Sequence, residues 1–126
     1  MPINARLGIV IFATDHRRLA DFYAAVTLLP LRSVDDAIAV LHTETFELVI
    51  HKLPREPEVS NPPIPRRDSY IKPFFPVASL ASAREIAVVF GGRLEPAGKE
   101  WSARGFRASE AIDPEGNIIQ FREDAP

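Results

Sequence analysis

One order of hydrophobic patterns runs through this sequence twice, with a proline-rich break between the two passes. Leu7 to Ala13 is an apolar, β-branched run of strand length. Thr14 or Asp15 then caps a helix whose apolar positions Leu19, Phe22, Tyr23 and Val26 follow the helical period. Pro30 ends any helix that reaches it. Short strands are expected near Leu31–Val34 and Ala37–His42, joined through Asp35-Asp36, and a further strand from Phe46 to Lys52. This first pass reads β-α-β-β-β.

Residues 53–69 have a different character. Seven of the twelve prolines fall between Pro54 and Pro76, and Arg55, Glu56, Glu58, Arg66, Arg67 and Asp68 add charge. That composition predicts an extended linker with no helix and little sheet. The pattern then restarts. Tyr70 to Val77 reads as a strand, and Pro73 and Pro76 mark it as an edge or a bulge. Ser79 caps a second helix with Leu80, Ala83, Ile86, Ala87 and Phe90 on one face, and Gly91-Gly92 stops it. Short strands follow near Arg93–Glu95 and Phe106–Ile112, then Asn117–Arg122. The expected organisation is one α+β domain over residues 1–126, with modules at 1–52 and 70–126 joined by the linker 53–69.

Composition removes several function classes. A chain of 126 residues with net charge −2 has no basic stripe for nucleic acid; Arg17-Arg18 and Arg66-Arg67 are isolated doublets. Without cysteine there is no disulfide framework, thiolate zinc site or cysteine nucleophile, which fits a cytoplasmic protein. The Met1–Arg6 segment lacks a secretory pattern, and no apolar run approaches the ~20 residues that span a bilayer. The serines sit in no Gly-x-Ser-x-Gly setting, and no Gly-rich loop is built to cradle phosphate. No catalytic residue is legible.

Asp113-Pro114-Glu115-Gly116 is a tight turn between two apolar runs, and it delivers Ile118, Gln120 and Arg122 to one strand face. With Asp15 through Phe22-Tyr23 and with Phe46-Glu47-Leu48-Val49-Ile50, this turn resembles the vicinal-oxygen-chelate superfamily of glyoxalases, extradiol dioxygenases and bleomycin-resistance proteins. The resemblance covers nearly the whole chain. It implies two paired modules forming a curved, cup-like, eight-stranded mixed sheet, helices on the outer face, a ligand cavity in the cup, and a homodimer. The linker is then a candidate for wrapping the fold or for exchanging modules between chains.

Metal-dependent members of that superfamily hold a divalent ion with one residue from each of four strands. By motif those positions fall on Gly8, Glu47, Lys72 and Gln120. Glycine has no donor atom, lysine brings a positive charge, and glutamine is a poor neutral donor. No metal or other cofactor is therefore expected. The route back to a metal is His51, on the parity of Glu47, with His42 or His16 recruited. Glu47 and Lys72, if both face inward, are expected to form an ion pair where the metal would sit.

Aromatic residues are the other candidates. Phe12 shares parity with Gly8, Phe74 with Lys72, and Trp101 follows a Gly-Lys-Glu loop suited to a cavity mouth. The candidate ligand-binding set is Phe12, Glu47, His51, Lys72, Phe74, Trp101, Gln120 and Arg122. The expected function is binding of a small organic molecule without a catalytic metal, as in bleomycin-resistance-like proteins. The alternatives are a metal-dependent lyase, isomerase or dioxygenase with a relocated centre on Glu47 and His51, or a metal-free enzyme using Lys72 or Glu47 as general acid or base.

Overall fold

The computed structural model describes residues 6–56 and 60–125. The start of the N-terminal segment read for targeting (residues 1–5) and the linker residues Pro57 and Glu58 lie outside the described residues. The two passes form two sheets. β1 (Leu7–Ala13), β2 (Leu31–Val34), β3 (Ile38–His42) and β4 (Phe46–Lys52) are ordered β1-β4-β3-β2. The second pass comprises β5 (Phe74–Pro76), β6 (Arg93–Leu94), β7 (Trp101–Ala103), β8 (Phe106–Ile112) and β9 (Ile118–Asp124), ordered β5-β9-β8-β6 with β7 also on β8. Both sheets are mixed, since β1 runs parallel to β4 and β5 parallel to β9. The expected eight-stranded sheet is thus nine strands in two hydrogen-bonded halves among the described residues.

Two expectations are corrected here. The Tyr70–Val77 strand shrinks to Phe74–Pro76. Pro73 and Pro76 have no N–H to donate, so the ladder starts only where the Pro73 carbonyl accepts Gln120 N at 3.0 Å. Trp101 opens a strand absent from the expected order: Trp101–Ala103 pairs with Ala108 to Phe106. A three-residue run has too little alternation to be read from sequence.

The helices form as their caps dictate. Asp15 caps α1 (His16–Val26), its carboxylate accepting Arg18 N at 3.1 Å. Ser79 caps α2 (Leu80–Val89), accepting Ser82 N at 3.2 Å. Gly91, at φ 91°, takes the left-handed conformation that ends α2. One buried cluster joins the modules: Leu19, Phe22 and Tyr23 of α1 and Leu48 and Ile50 of β4 with Phe75, Leu80, Ile119 and Phe121. Phe22 stacks on Phe121 at 6.2 Å between ring centres, and Tyr23 meets Phe75 at 5.0 Å. Both helices cover one face of the sheets. On the other face Val10, Phe12 and Phe74 are exposed.

The turn before β9 fastens the modules. Asp113, fully buried, accepts Tyr23 Oη at 2.7 Å, Glu115 N at 2.9 Å, Asn117 N at 3.0 Å and Asn117 Nδ2 at 2.9 Å. Burial pushes its carboxyl up to about 6, against the lowering effect of those bonds. Glu115 reaches the start of α1, accepting Thr14 N at 2.9 Å and Asp15 N at 3.1 Å. The linker wraps this turn: Arg66 N donates to the Gly116 carbonyl at 2.8 Å and Arg66 Nε to the Glu115 carbonyl at 3.0 Å.

Candidate functional site

Strand alternation and register arrange the open face in rows. Across the first sheet these are His42–Glu47–Gly8, Val40–Val49–Val10 and Ile38–His51–Phe12. Across the second they are Glu110–Gln120–Phe74 and Trp101–Ala108–Arg122, with Phe106 opposite Asp124. Seven of the eight candidate residues, all but Lys72, lie in these rows. Lys72 is two residues before Phe74, and its Nζ reaches Glu110 Oε2 at 2.9 Å.

The expected Glu47–Lys72 ion pair does not form. Lys72 is taken by Glu110, and Glu47 faces Arg6 at 3.8 Å. The ladder placing Glu110 opposite Gln120 supplies a nearer carboxylate on the second sheet. Gly8 has a positive reason to be glycine: a Cβ there would lie 2.5 Å from the Glu47 carbonyl oxygen. Closely packed backbone replaces a metal-donor side chain at that position.

The histidines do not rebuild a metal set. His51 is four residues from Glu47 on β4, about 13 Å along an extended strand, so one ion cannot join them. Its ring rests 5.6 Å from Phe12, and its Nδ1 bonds the Lys52 carbonyl at 2.9 Å. His42 stands beside Glu47 across the ladder, with Nδ1 on the Thr43 carbonyl at 3.0 Å. His16 is buried, its Nε2 2.8 Å from the Asp35 carbonyl. Among the described residues no three His, Asp or Glu converge as metal ligands. The residues at the superfamily's metal positions do not fit a metal ion.

The second sheet carries an aromatic and cationic cluster. The Arg122 guanidinium lies 3.5 Å from the centre of the Phe74 ring and 4.0 Å from that of Phe106. Its Nε donates to Gln120 Oε1. Arg104 sits 5.2 Å from the same Phe106 ring. Burial and the Arg104 charge hold the Arg122 guanidinium below its ordinary pKa. Next to Trp101, the Glu100 carboxylate joins Arg84 and Arg107. Two concavities flank the face. One of about 290 Å³ lies between Val10 and Phe12 of β1 and Ile71, Pro73 and Ile118 of the second module. The larger, about 450 Å³, lies away from the cluster, between linker residues Pro63–Arg67 and the Pro114-Glu115 turn.

Glu110, Phe106 and Arg104 were missing from the sequence-based set. Alternation along β8 would have found the first two, because Phe106, Ala108 and Glu110 share one face. Arg104 gave no signal while Trp101–Ala103 was unrecognised as a strand.

The two modules, with helices on one face and an open sheet face opposite, have the fold of vicinal-oxygen-chelate proteins. The chain belongs to the glyoxalase-like domain family, whose model matches residues 8–121. It is similar in fold to a glyoxalase/bleomycin resistance protein/dioxygenase family enzyme from Burkholderia phytofirmans PsJN, at 14% identity, covering 96% of this chain and 100% of that one, TM-score 0.66. It is similar too to a fosfomycin resistance protein from Mesorhizobium loti, at 11% identity, covering 98% and 94%, TM-score 0.64. An antibiotic-binding protein from Streptomyces sp. CB03234 aligns at 14% identity over 99% of both chains, TM-score 0.61. No curated protein matches the sequence. No helix among the described residues is long and apolar enough to cross a membrane.

Proposed function

We propose that this protein binds a small organic molecule on its open sheet face and holds it without a catalytic metal. The observation that carries the reading is the commitment of the four metal positions to other work. Gly8 packs on the Glu47 backbone, Glu47 faces Arg6, Lys72 pairs with Glu110, and Gln120 accepts from Arg122. Exposed Phe12, Phe74 and Trp101, with the polar groups of Glu47, His51, Lys72, Gln120 and Arg122, form the binding set. A solved neighbour described as antibiotic-binding gives the reading a precedent in this fold. The resemblance extends the proposal to a cytoplasmic homodimer, which light scattering on the purified protein tests.

The competing reading is a metal-dependent lyase, isomerase or dioxygenase. Adjacency of His42 and Glu47 across one ladder is the observation in its favour. Elemental analysis with nickel, zinc, manganese and iron titrations separates the two. Stoichiometric tight binding of any of these ions defeats the metal-free reading. Absence of tight binding, together with ligand-induced thermal stabilisation in a small-molecule screen, supports it.

A further inference from the structure

The open face holds two guanidinium groups that no carboxylate among the described residues pairs with. Arg122 and Arg104 both contact the Phe106 ring, at 4.0 and 5.2 Å from its centre. Among the described residues neither forms an ion pair, although Lys72, Arg6, Arg84 and Arg107 each do. Asp124 stands opposite Phe106 in the ladder without pairing to either arginine. Two like charges over one ring repel, and Arg122 is also drawn from water between Phe74 and Phe106. Such an arrangement is relieved by an anion, and a guanidinium fork fits a carboxylate through two parallel hydrogen bonds.

The surroundings suit a flat apolar body attached to that anion. Phe74 is 56% exposed and Trp101 38% exposed, and both flank Arg122 through the ladder pairs Phe74–Gln120 and Trp101–Ala108–Arg122. Aromatic faces beside a fixed cation recognise a planar ring carrying a negative group. Gln120 fixes the guanidinium by accepting from its Nε, which leaves the terminal nitrogens for the ligand.

We propose that the ligand of this face is a small planar organic acid, its carboxylate docked between Arg104 and Arg122 and its ring laid against Phe74 and Trp101. This rests on the binding reading above and names the chemical class of the ligand. It also gives Arg104, a turn residue, a place in the site.

Isothermal titration of the full chain with 2-naphthoate, 2-naphthamide and 2-naphthylmethylammonium tests it. The expected result is that naphthoate binds at least tenfold more tightly than the isosteric amide, and that the ammonium binds weakest. Raising the salt concentration should erode the preference for the acid. Arg104→Met and Arg122→Met should each shrink the acid–amide difference severalfold. Arg55→Met, on the linker, should retain the full difference. Should Arg122→Met fail to fold, Arg104→Met at an exposed turn still decides. Equal binding of acid and amide overturns the anion inference and leaves the binding reading standing. Failure of all three compounds to bind the folded protein also overturns the planar-acid inference, whereas the binding reading falls only if the small-molecule screen finds no stabilising ligand.

Discussion

Tyr23 and Asp113, 90 residues apart, meet in a 2.7 Å hydrogen bond with both side chains fully buried. The first belongs to α1 of one module and the second to the turn before β9 of the other. Burial drives the Tyr23 hydroxyl pKa well above its ordinary value, so it remains a neutral donor at any working pH. Removing the hydroxyl leaves the carboxylate with three donors in a dry site. Tyr23→Phe should cost about 1–3 kcal/mol, read as a lower urea midpoint with an unchanged slope. A slope that changes as much as the midpoint would mean that the modules come apart separately.

Asp113 gives the fold a pH dependence of unusual sign. Its carboxyl is raised in the folded state from 3.8 to about 6, so the folded chain binds the proton more readily than the unfolded one. The contribution is fully present below pH 3.8 and is lost as pH rises through 6, with a ceiling of roughly 3 kcal/mol over the whole window. Wild type should therefore gain stability relative to Asp113→Asn between pH 7.5 and pH 5. Parallel stability curves for the two proteins over that range would contradict this origin.

Glu115 works as a helix cap supplied from outside the helix. Its carboxylate accepts the backbone N–H groups of Thr14 and Asp15 and so lies at the positive end of α1. Glu115→Ala should cost about 1–3 kcal/mol, with Glu115→Gln intermediate because an amide oxygen still accepts but carries no charge. Hydrogen exchange at the first turn of α1 should quicken in both variants. Protection equal to wild type there would remove Glu115 from the cap.

Gly8 should tolerate no side chain. The Glu47 carbonyl, 2.5 Å from a Cβ at Gly8, is backbone in a paired strand and cannot swing aside. Gly8→Ala should destabilise by about 1–3 kcal/mol in denaturant unfolding. For the same reason the triple change Gly8→His, Lys72→His, Gln120→Glu should fail to install a zinc or nickel site by titration. Tight stoichiometric binding by the folded triple variant would show that the strands can part.

Sequence carried local features well. Asp15, Ser79 and Gly91 act at helix ends as their chemistry predicts, parity put Gln120 and Arg122 on one face of their strand, and the resemblance set Gly8 beside Glu47. What sequence did not carry was choice of partner. Glu47 and Lys72 are the pair that the resemblance suggests, yet each takes its partner from its own module, Glu47 from Arg6 and Lys72 from Glu110. Arg104 was invisible for a related reason: its role depends on a ring two residues on, whose face is set by β8 pairing with β9.

The Glu115 cap also bears on how the chain is made. A ribosome releases α1 about a hundred residues before the group that completes it, since Thr14 and Glu115 are 101 positions apart. Phe121, the ring that Phe22 stacks on, follows later still. Over that interval Leu19, Phe22 and Tyr23 form an amphipathic stripe with nothing to cover its second half, the kind of segment that holding chaperones recognise. The native contacts of the first helix are therefore complete only once the hairpin that carries the turn has emerged.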